Sequence, residues 1–322
     1  MSAWRAPGQF DKDGFFTEAG PHFHPADMPD YLPFDPNPRA PVPLPPARSC
    51  DSQFHVFGPR ERFPVRPGAA YEMPSATWQV AQRLHRTLGI GRGVIVQATT
   101  YGADHAVVLD ALAHLNPATG PRTYLGCANA AVLTECDDAY LARLHDAGVR
   151  GARFTRAGLG ISMSAAEQDK AFARIRELGW YVKLQPEPDG IAAQLAAYDK
   201  LDVPILLDHM GRADPARGDA DPTLAAVLER LARGNYWVML SLSEKISRAG
   251  APWDDVVPLA QRLIEAAPDR CVWGSDWPHP VSVKQPPNEG ELLELLYRFA
   301  PDAAVRHKIL VDNPANFFGF EA

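Results

Sequence analysis

At 322 residues, 46% of them hydrophobic and 22% charged, the chain is long enough for one large domain with a full core or for two small ones. Its formal net charge of −7 excludes nucleic acid and acidic membrane surfaces as main partners, since both require a basic face, yet leaves room for a basic pocket that takes an anion. Cys50, Cys127, Cys136 and Cys271 form no CxxC pair, residues 1–20 lack the apolar centre of a signal peptide, and no apolar run approaches the ~20 residues that cross a bilayer, so a soluble cytoplasmic protein with free thiols is expected.

Residues 1–48 contain eleven prolines and no sustained helical or strand period. Proline removes amide donors and fixes φ, so this segment is predicted to be an extended arm along its own domain or along a partner subunit, where it offers a route to a homo-oligomer. Within it, His22 and His24 have the spacing of a metal-binding pair, but no third ligand stands nearby and no metal is expected there.

From residue 49 the pattern becomes repetitive in architecture. Short apolar runs at 51–57, 93–98, 123–127, 148–154, 180–184, 204–207, 236–240 and 270–273 read as strands. Segments of helical period at 75–88, 103–115, 137–147, 164–178, 190–200, 222–233, 253–267 and 289–299 follow them in turn. Ser164, three residues before Glu167, resembles a capping box, and Gly148 and Gly179 stand just past the helices that precede them. Eight strand–helix units predict an α/β fold, a closed (β/α)₈ TIM barrel over 49–322 with the proline-rich arm at 1–48. An open doubly wound sheet would want a glycine-rich phosphate turn after its first strand, and His55-Val56-Phe57-Gly58-Pro59 is not one.

In such a barrel the chemistry sits at the C-terminal ends of the strands. Alternation puts Asp51, Gln53 and His55 on one face of the first strand, and a buried polar trio is costly unless it meets polar partners or a cavity. The second strand delivers Gln97, Thr99 and Tyr101; the fourth Arg153 and then Arg156; the fifth Lys183 and Gln185. The sixth leads into Asp208, His209 and Arg212, the seventh into Glu244 and Lys245, and the eighth into Asp276 and His279. Taken singly, His209 is explained as a hydrogen-bonded core histidine, Arg153 as the partner of a helix carboxylate, and Asp276 as a turn cap. Gathered at one rim they point to catalysis.

With these residues in view, the chain resembles the amidohydrolase superfamily, in its branch of pyrone-dicarboxylate, sugar and muconate lactonases. The resemblance rests on Asp51 to Phe57, on Val96-Gln97 with the turn after it, and on Gly151-Ala152-Arg153-Phe154. It rests equally on Leu207-Asp208-His209-Met210-Gly211-Arg212, Trp273-Gly274-Ser275-Asp276-Trp277-Pro278-His279 and the ending Asp312-Asn313-Pro314. It covers 49–320 and leaves the arm outside.

The family's first strand carries His-x-His, and here the first histidine is Gln53. Glutamine is a poor zinc ligand, so no cofactor is expected and a divalent metal such as zinc is disfavoured. The resemblance implies that Arg153 holds a substrate carboxylate, whereas Lys245 stands where a second arginine is expected, Gln185 where a tyrosine is, and Leu159 where another arginine is, with Arg156 close enough to serve instead.

The resulting expectation is metal-independent hydrolysis of a small anionic lactone or related carboxylic acid. Asp276, beside Trp273 and Trp277, is the general base, its pKa raised by desolvation. His55, His209 and the Gln53 amide donate to the developing oxyanion. Arg153, Arg156, Lys245, Gln185 and Arg212 bind substrate, Thr99 and Tyr101 contact its ring or hydroxyls, and His279 serves either the substrate or the turn that holds it. The rival readings are a metal-dependent decarboxylase of an aromatic or muconate acid, a lactone isomerase, and a non-catalytic anion-binding barrel.

Overall fold

The computed structural model describes residues 31–155 and 163–321. Arg156, Leu159, His22 and His24 lie outside the described residues. Eight strands run parallel in chain order: β1 (Cys50–Phe54), β2 (Arg92–Val96), β3 (Tyr124–Asn129), β4 (Val149–Phe154), β5 (Tyr181–Leu184), β6 (Ile205–Leu207), β7 (Tyr236–Leu240) and β8 (Cys271–Trp273). They are buried on both faces, as strands covered by helices outside and by one another's side chains inside must be.

Alternation divides the two faces. Val94, Val96, Leu125, Cys127, Leu206, Met239 and Val272 share a separate apolar cluster, while Ile95, Ala128, Ile205, Leu207, Val238 and Leu240 join the larger core under the helices. Phe318 and Phe320, from the end of the chain, belong to the first cluster, and Phe318 lies edge-on to Tyr181 at 5.4 Å. One end of the barrel is thereby filled with apolar side chains, and the polar residues gather at the other.

The seam between β1 and β8 is closed past the end of β8. Asp276 N donates to Gln53 O at 2.9 Å, and His55 N donates to Trp277 O at 2.7 Å. The expected first strand, 51–57, is accordingly shorter: it pairs with β2 only as far as Phe54 opposite Ile95, and His55 turns its amide to the β8 side. Gly274 makes this approach possible, because a Cβ there would stand 2.9 Å from Gln53 N and 2.9 Å from Met239 Sδ.

The helix ends follow their sequence signals. Ser164 and Glu167 form the reciprocal capping box, and Gly148 and Gly179 adopt left-handed φ at the ends of Asp138–Ala147 and Ala165–Leu178. The helix expected at 190–200 is instead a 3₁₀ segment, Ala192–Ala197. Gly190 enters it at φ +111°, and only Leu195 within it is buried, too narrow an apolar face to hold a longer α-helix.

Residues 31–48 follow the barrel's own surface. Arg39 makes two 2.6 Å bonds to the Glu294 carboxylate, Tyr297 Oη donates to Pro43 O at 3.0 Å, and Phe34 packs 4.8 Å from Trp277. No helix among the described residues is long and apolar enough to cross a membrane.

Candidate active site

The polar face of β1 is used in three steps. Asp51 Oδ1 accepts from Ser275 N at 2.9 Å and its Oδ2 accepts from Ser275 Oγ at 2.5 Å, so the first carboxylate pins the segment after β8. Gln53 Nε2 then donates to Asp276 Oδ1 at 2.6 Å. His55 Nδ1 donates to Val96 O at 2.7 Å, which leaves Nε2 3.2 Å from the same Asp276 oxygen. Both close contacts to Asp276 fall on Oδ1, and no described residue donates to Oδ2.

Asp276 sits at φ +60° and is 4% exposed. His209 and His279 share this left-handed conformation, at +54° and +60°, and such backbone persists in non-glycine residues only where the surroundings impose it. Here the Asp276 N to Gln53 O bond and the His279 N to Asp276 O bond at 2.8 Å impose it. The carboxyl group itself departs from the sequence-based expectation. Burial pushes its pKa up, but the imidazoles of His209 and His55, the His55 contact and the Lys245 ammonium outweigh burial and hold it well below the usual carboxylate range.

Across the cleft, Arg153 on β4 donates Nε to Asp208 Oδ2 at 2.9 Å, and Lys183 Nζ on β5 lies 2.5 Å from Asp208 Oδ1. Burial raises the Asp208 carboxyl, yet Lys183, Arg153 and His209 together hold it below its ordinary value. His209 Nδ1 meets Ser241 Oγ at 2.9 Å, and its Nε2 faces Arg153 Nη2 at 3.5 Å. Arginine has donors only, so Nε2 is the acceptor, and burial lowers the imidazole pKa to about 4. A neutral ring with its proton on Nδ1 toward Ser241 is not the oxyanion donor that the sequence suggested.

Several of these groups face a common cleft. Of the residues expected at the site, His55, Thr99, Arg153, Gln185, His209, Lys245 and Asp276 line it. Gln53 is fully buried behind Asp276 with its amide N–H committed there, so it does not reach an oxyanion in the cleft. Tyr101 does not line the cleft either: it packs 6.1 Å from Phe57, in the apolar core. Arg212 lies on the turn after β6, off the lining.

Sequence reasoning missed Tyr71, Pro280 and Val281, which complete the lining. Tyr71 belongs to a long irregular segment between β1 and the helix Trp78–Leu88, where no periodicity marks which side chain turns inward. Thr99 Oγ1 donates to its hydroxyl at 3.1 Å, and burial raises the phenol, which keeps it a donor. Lys245 Nζ donates to Pro280 O at 2.8 Å, tying the turn after β7 to the turn after β8.

His279 is fully buried and stands between carboxylates, with Nδ1 3.3 Å from Glu244 and Nε2 3.4 Å from Glu289. It holds the loop rather than the substrate. Burial lowers its pKa, but the two carboxylates prevail and raise it to about 9. A raised histidine pKa stabilises the fold fully below the unfolded value, about 6.5, and that contribution is lost as pH rises through the folded value. The wild-type protein is therefore expected to lose on the order of 3 kcal/mol more stability between pH 6 and 10 than His279→Gln. Denaturant unfolding of both proteins at the two pH values checks this, and parallel losses would refute the pairing.

A divalent ion is poorly served here. Among the described residues no three His, Cys, Asp or Glu side chains converge to hold one. The Gln53 N–H also takes up the Asp276 oxygen that faces the first strand, where a metal shared with that strand would need a lone pair.

The amidohydrolase family matches the chain over residues 21–320. The chain is 36% identical over 282 residues to a 4-sulfomuconolactone hydrolase of Rhizobium radiobacter, covering 85% of this chain and 91% of that protein. To a 2-pyrone-4,6-dicarboxylate hydrolase of Comamonas testosteroni it is 34% identical over 301 residues, 90% of this chain and 96% of the relative. A D-galactarolactone isomerase of Agrobacterium fabrum is 30% identical over 284 residues, 87% and 94% of the two chains.

Proposed function

The chain belongs to the amidohydrolase family, and from that premise we propose that it hydrolyses a small anionic lactone without a divalent metal, Asp276 being the base that activates water. One observation carries this reading. Asp276 is fixed through Oδ1 by Gln53 and His55 and keeps Oδ2 without a donor among the described residues, in a cleft that also holds Arg153 and Lys245. A carboxylate held on one oxygen and open on the other is arranged to take a proton from water.

Arg153 and Lys245 hold the anionic group and so set the ring against Asp276. Asp276 Oδ2 accepts a proton from water as the oxygen attacks the lactone carbonyl. The Tyr71 hydroxyl, on the cleft, donates to the oxyanion that forms. Collapse breaks the ring C–O bond, and the Asp276 carboxyl returns its proton to the departing ring oxygen. The relatives support the substrate class, since the lactones in the names of the two hydrolases carry sulfonate or carboxylate groups beside the ring ester.

The test is turnover of 4-sulfomuconolactone, 2-pyrone-4,6-dicarboxylate and galactarolactone by chelator-treated protein, with and without added zinc or manganese. Ring-opened acid formed at the same rate in all conditions is the expected result. Activity that appears only with metal overturns the metal-free mechanism, and an isomeric lactone as product replaces hydrolysis by the isomerase reaction named for the Agrobacterium relative.

A further inference from the structure

Lys183 is fully buried and touches nothing in the cleft, yet it belongs to a charged trio that reaches it. Its Nζ stands 2.5 Å from Asp208 Oδ1, and Asp208 Oδ2 accepts Arg153 Nε at 2.9 Å. Asp208 is as buried as Lys183, and Arg153 is 4% exposed and alone of the three lines the cleft. Buried ions are costly, and a well-packed apolar pair would fill the same space at least as stably, so the trio calls for a use beyond packing.

Charge counting supplies one. Asp208 and Arg153 alone would cancel, and a carboxylate free to turn both oxygens onto the guanidinium would take it edge to edge, as carboxylates do with arginine. An arginine so neutralised offers little to an incoming anion. Lys183 takes up the second Asp208 oxygen and its charge, leaving a trio of net +1 that surfaces only through Arg153. Asp208 then holds only the Nε edge, and Arg153 Nη1 keeps no partner among the described residues.

We propose that Lys183 is a positioning residue for substrate charge: it offsets Asp208 so that Arg153 presents a net positive, correctly turned guanidinium to the anionic group of the substrate. The inference rests on the anionic lactone proposed above, and it assigns to a side chain beneath the cleft part of the preference for a charged ring.

The experiment compares kcat/KM for an anionic lactone and for an uncharged lactone of the same ring size, in wild type, Lys183→Met and the double variant Lys183→Met/Asp208→Asn. Wild type should prefer the anionic ring. If it turns over both alike, the anionic-substrate reading has failed, whatever the variants do. Given that preference, Lys183→Met should reduce the charged-to-neutral ratio about tenfold, chiefly through KM, the size expected when a hydrogen bond to a charged group is weakened. The double variant removes the carboxylate along with its partner and leaves Arg153 its own charge, so its ratio should return to within about threefold of wild type.

A merely structural lysine would lower both substrates in parallel and would gain nothing from the second substitution, and either result overturns the proposal. Should Lys183→Met fail to fold by circular dichroism, the double variant, a neutral pair of similar shape, decides alone. A wild-type ratio in it supports the charge argument, and a collapsed ratio refutes it.

Discussion

Asp276→Asn is expected to lower kcat by about 10³-fold while moving KM no more than about threefold, the size of loss typical when a positioned general base is removed. The substitution keeps shape and removes one function. If the amide oxygen takes the place of Oδ1, it still accepts from Gln53 Nε2 and His55, and the fold around φ +60° is retained. The position of Oδ2 is then filled by an NH₂ group, which donates to water where the carboxylate accepted from it. Substrate anion is held by other residues, so KM has little reason to move. Steady-state kinetics on folded protein decides the matter, and a loss smaller than tenfold would take the base away from Asp276.

The same carboxylate predicts a pH profile. Its pKa lies well below the usual range because two imidazoles and an ammonium outweigh burial, so Asp276 is already ionised throughout the neutral range. Proton uptake by Asp276 abolishes its function only as pH falls through that low value. The limb of kcat/KM that belongs to this group is therefore expected below about pH 4, the unperturbed carboxyl value. An acid limb at pH 5 to 6 that vanishes in Asp276→Asn would contradict the geometry. A carboxylate so well stabilised is also a weaker proton acceptor than one raised by desolvation, and the rate must come from the fixed placement of water and carbonyl.

The barrel was legible because its signals are local. Short apolar runs alternate with helical periods, Ser164 and Glu167 cap where their spacing says they should, and the polar residues fall at one end of the strands. The cleft members on strand ends, from His55 to Asp276, were legible for the same reason. Three things were not. Tyr71 reaches the cleft from an irregular segment, and only tertiary packing aims it there. The roles of Gln53 and His209 depend on which atom faces which neighbour, and residue type alone says nothing of a donor already committed to Asp276 or a ring proton directed to Ser241. Asp276 itself was assigned the wrong direction of pKa shift, because burial can be guessed from Trp273 and Trp277 while the opposing side chains, His55, His209 and Lys245, come from the ends of β1, β6 and β7, far apart in the chain.

Arg153→Met should raise KM for an anionic lactone by about 10- to 10²-fold with kcat changed far less, since a charge-assisted hydrogen bond contributes about 1.5–3 kcal/mol and acts equally on bound substrate and transition state. The fold should tolerate the change. Asp208 keeps Lys183 at 2.5 Å, so the buried carboxylate remains paired and the penalty for an orphaned ion does not arise. Arg153→Lys is the sharper comparison, because it conserves charge and loses geometry. A lysine ammonium drawn to Asp208 Oδ2 has no second edge left for the cleft, whereas the guanidinium bonds Asp208 through Nε and still presents Nη1. The lysine variant should therefore resemble Arg153→Met in KM for the anionic ring. Recovery of wild-type KM by lysine would mean that charge alone, and not the divided guanidinium, holds the substrate.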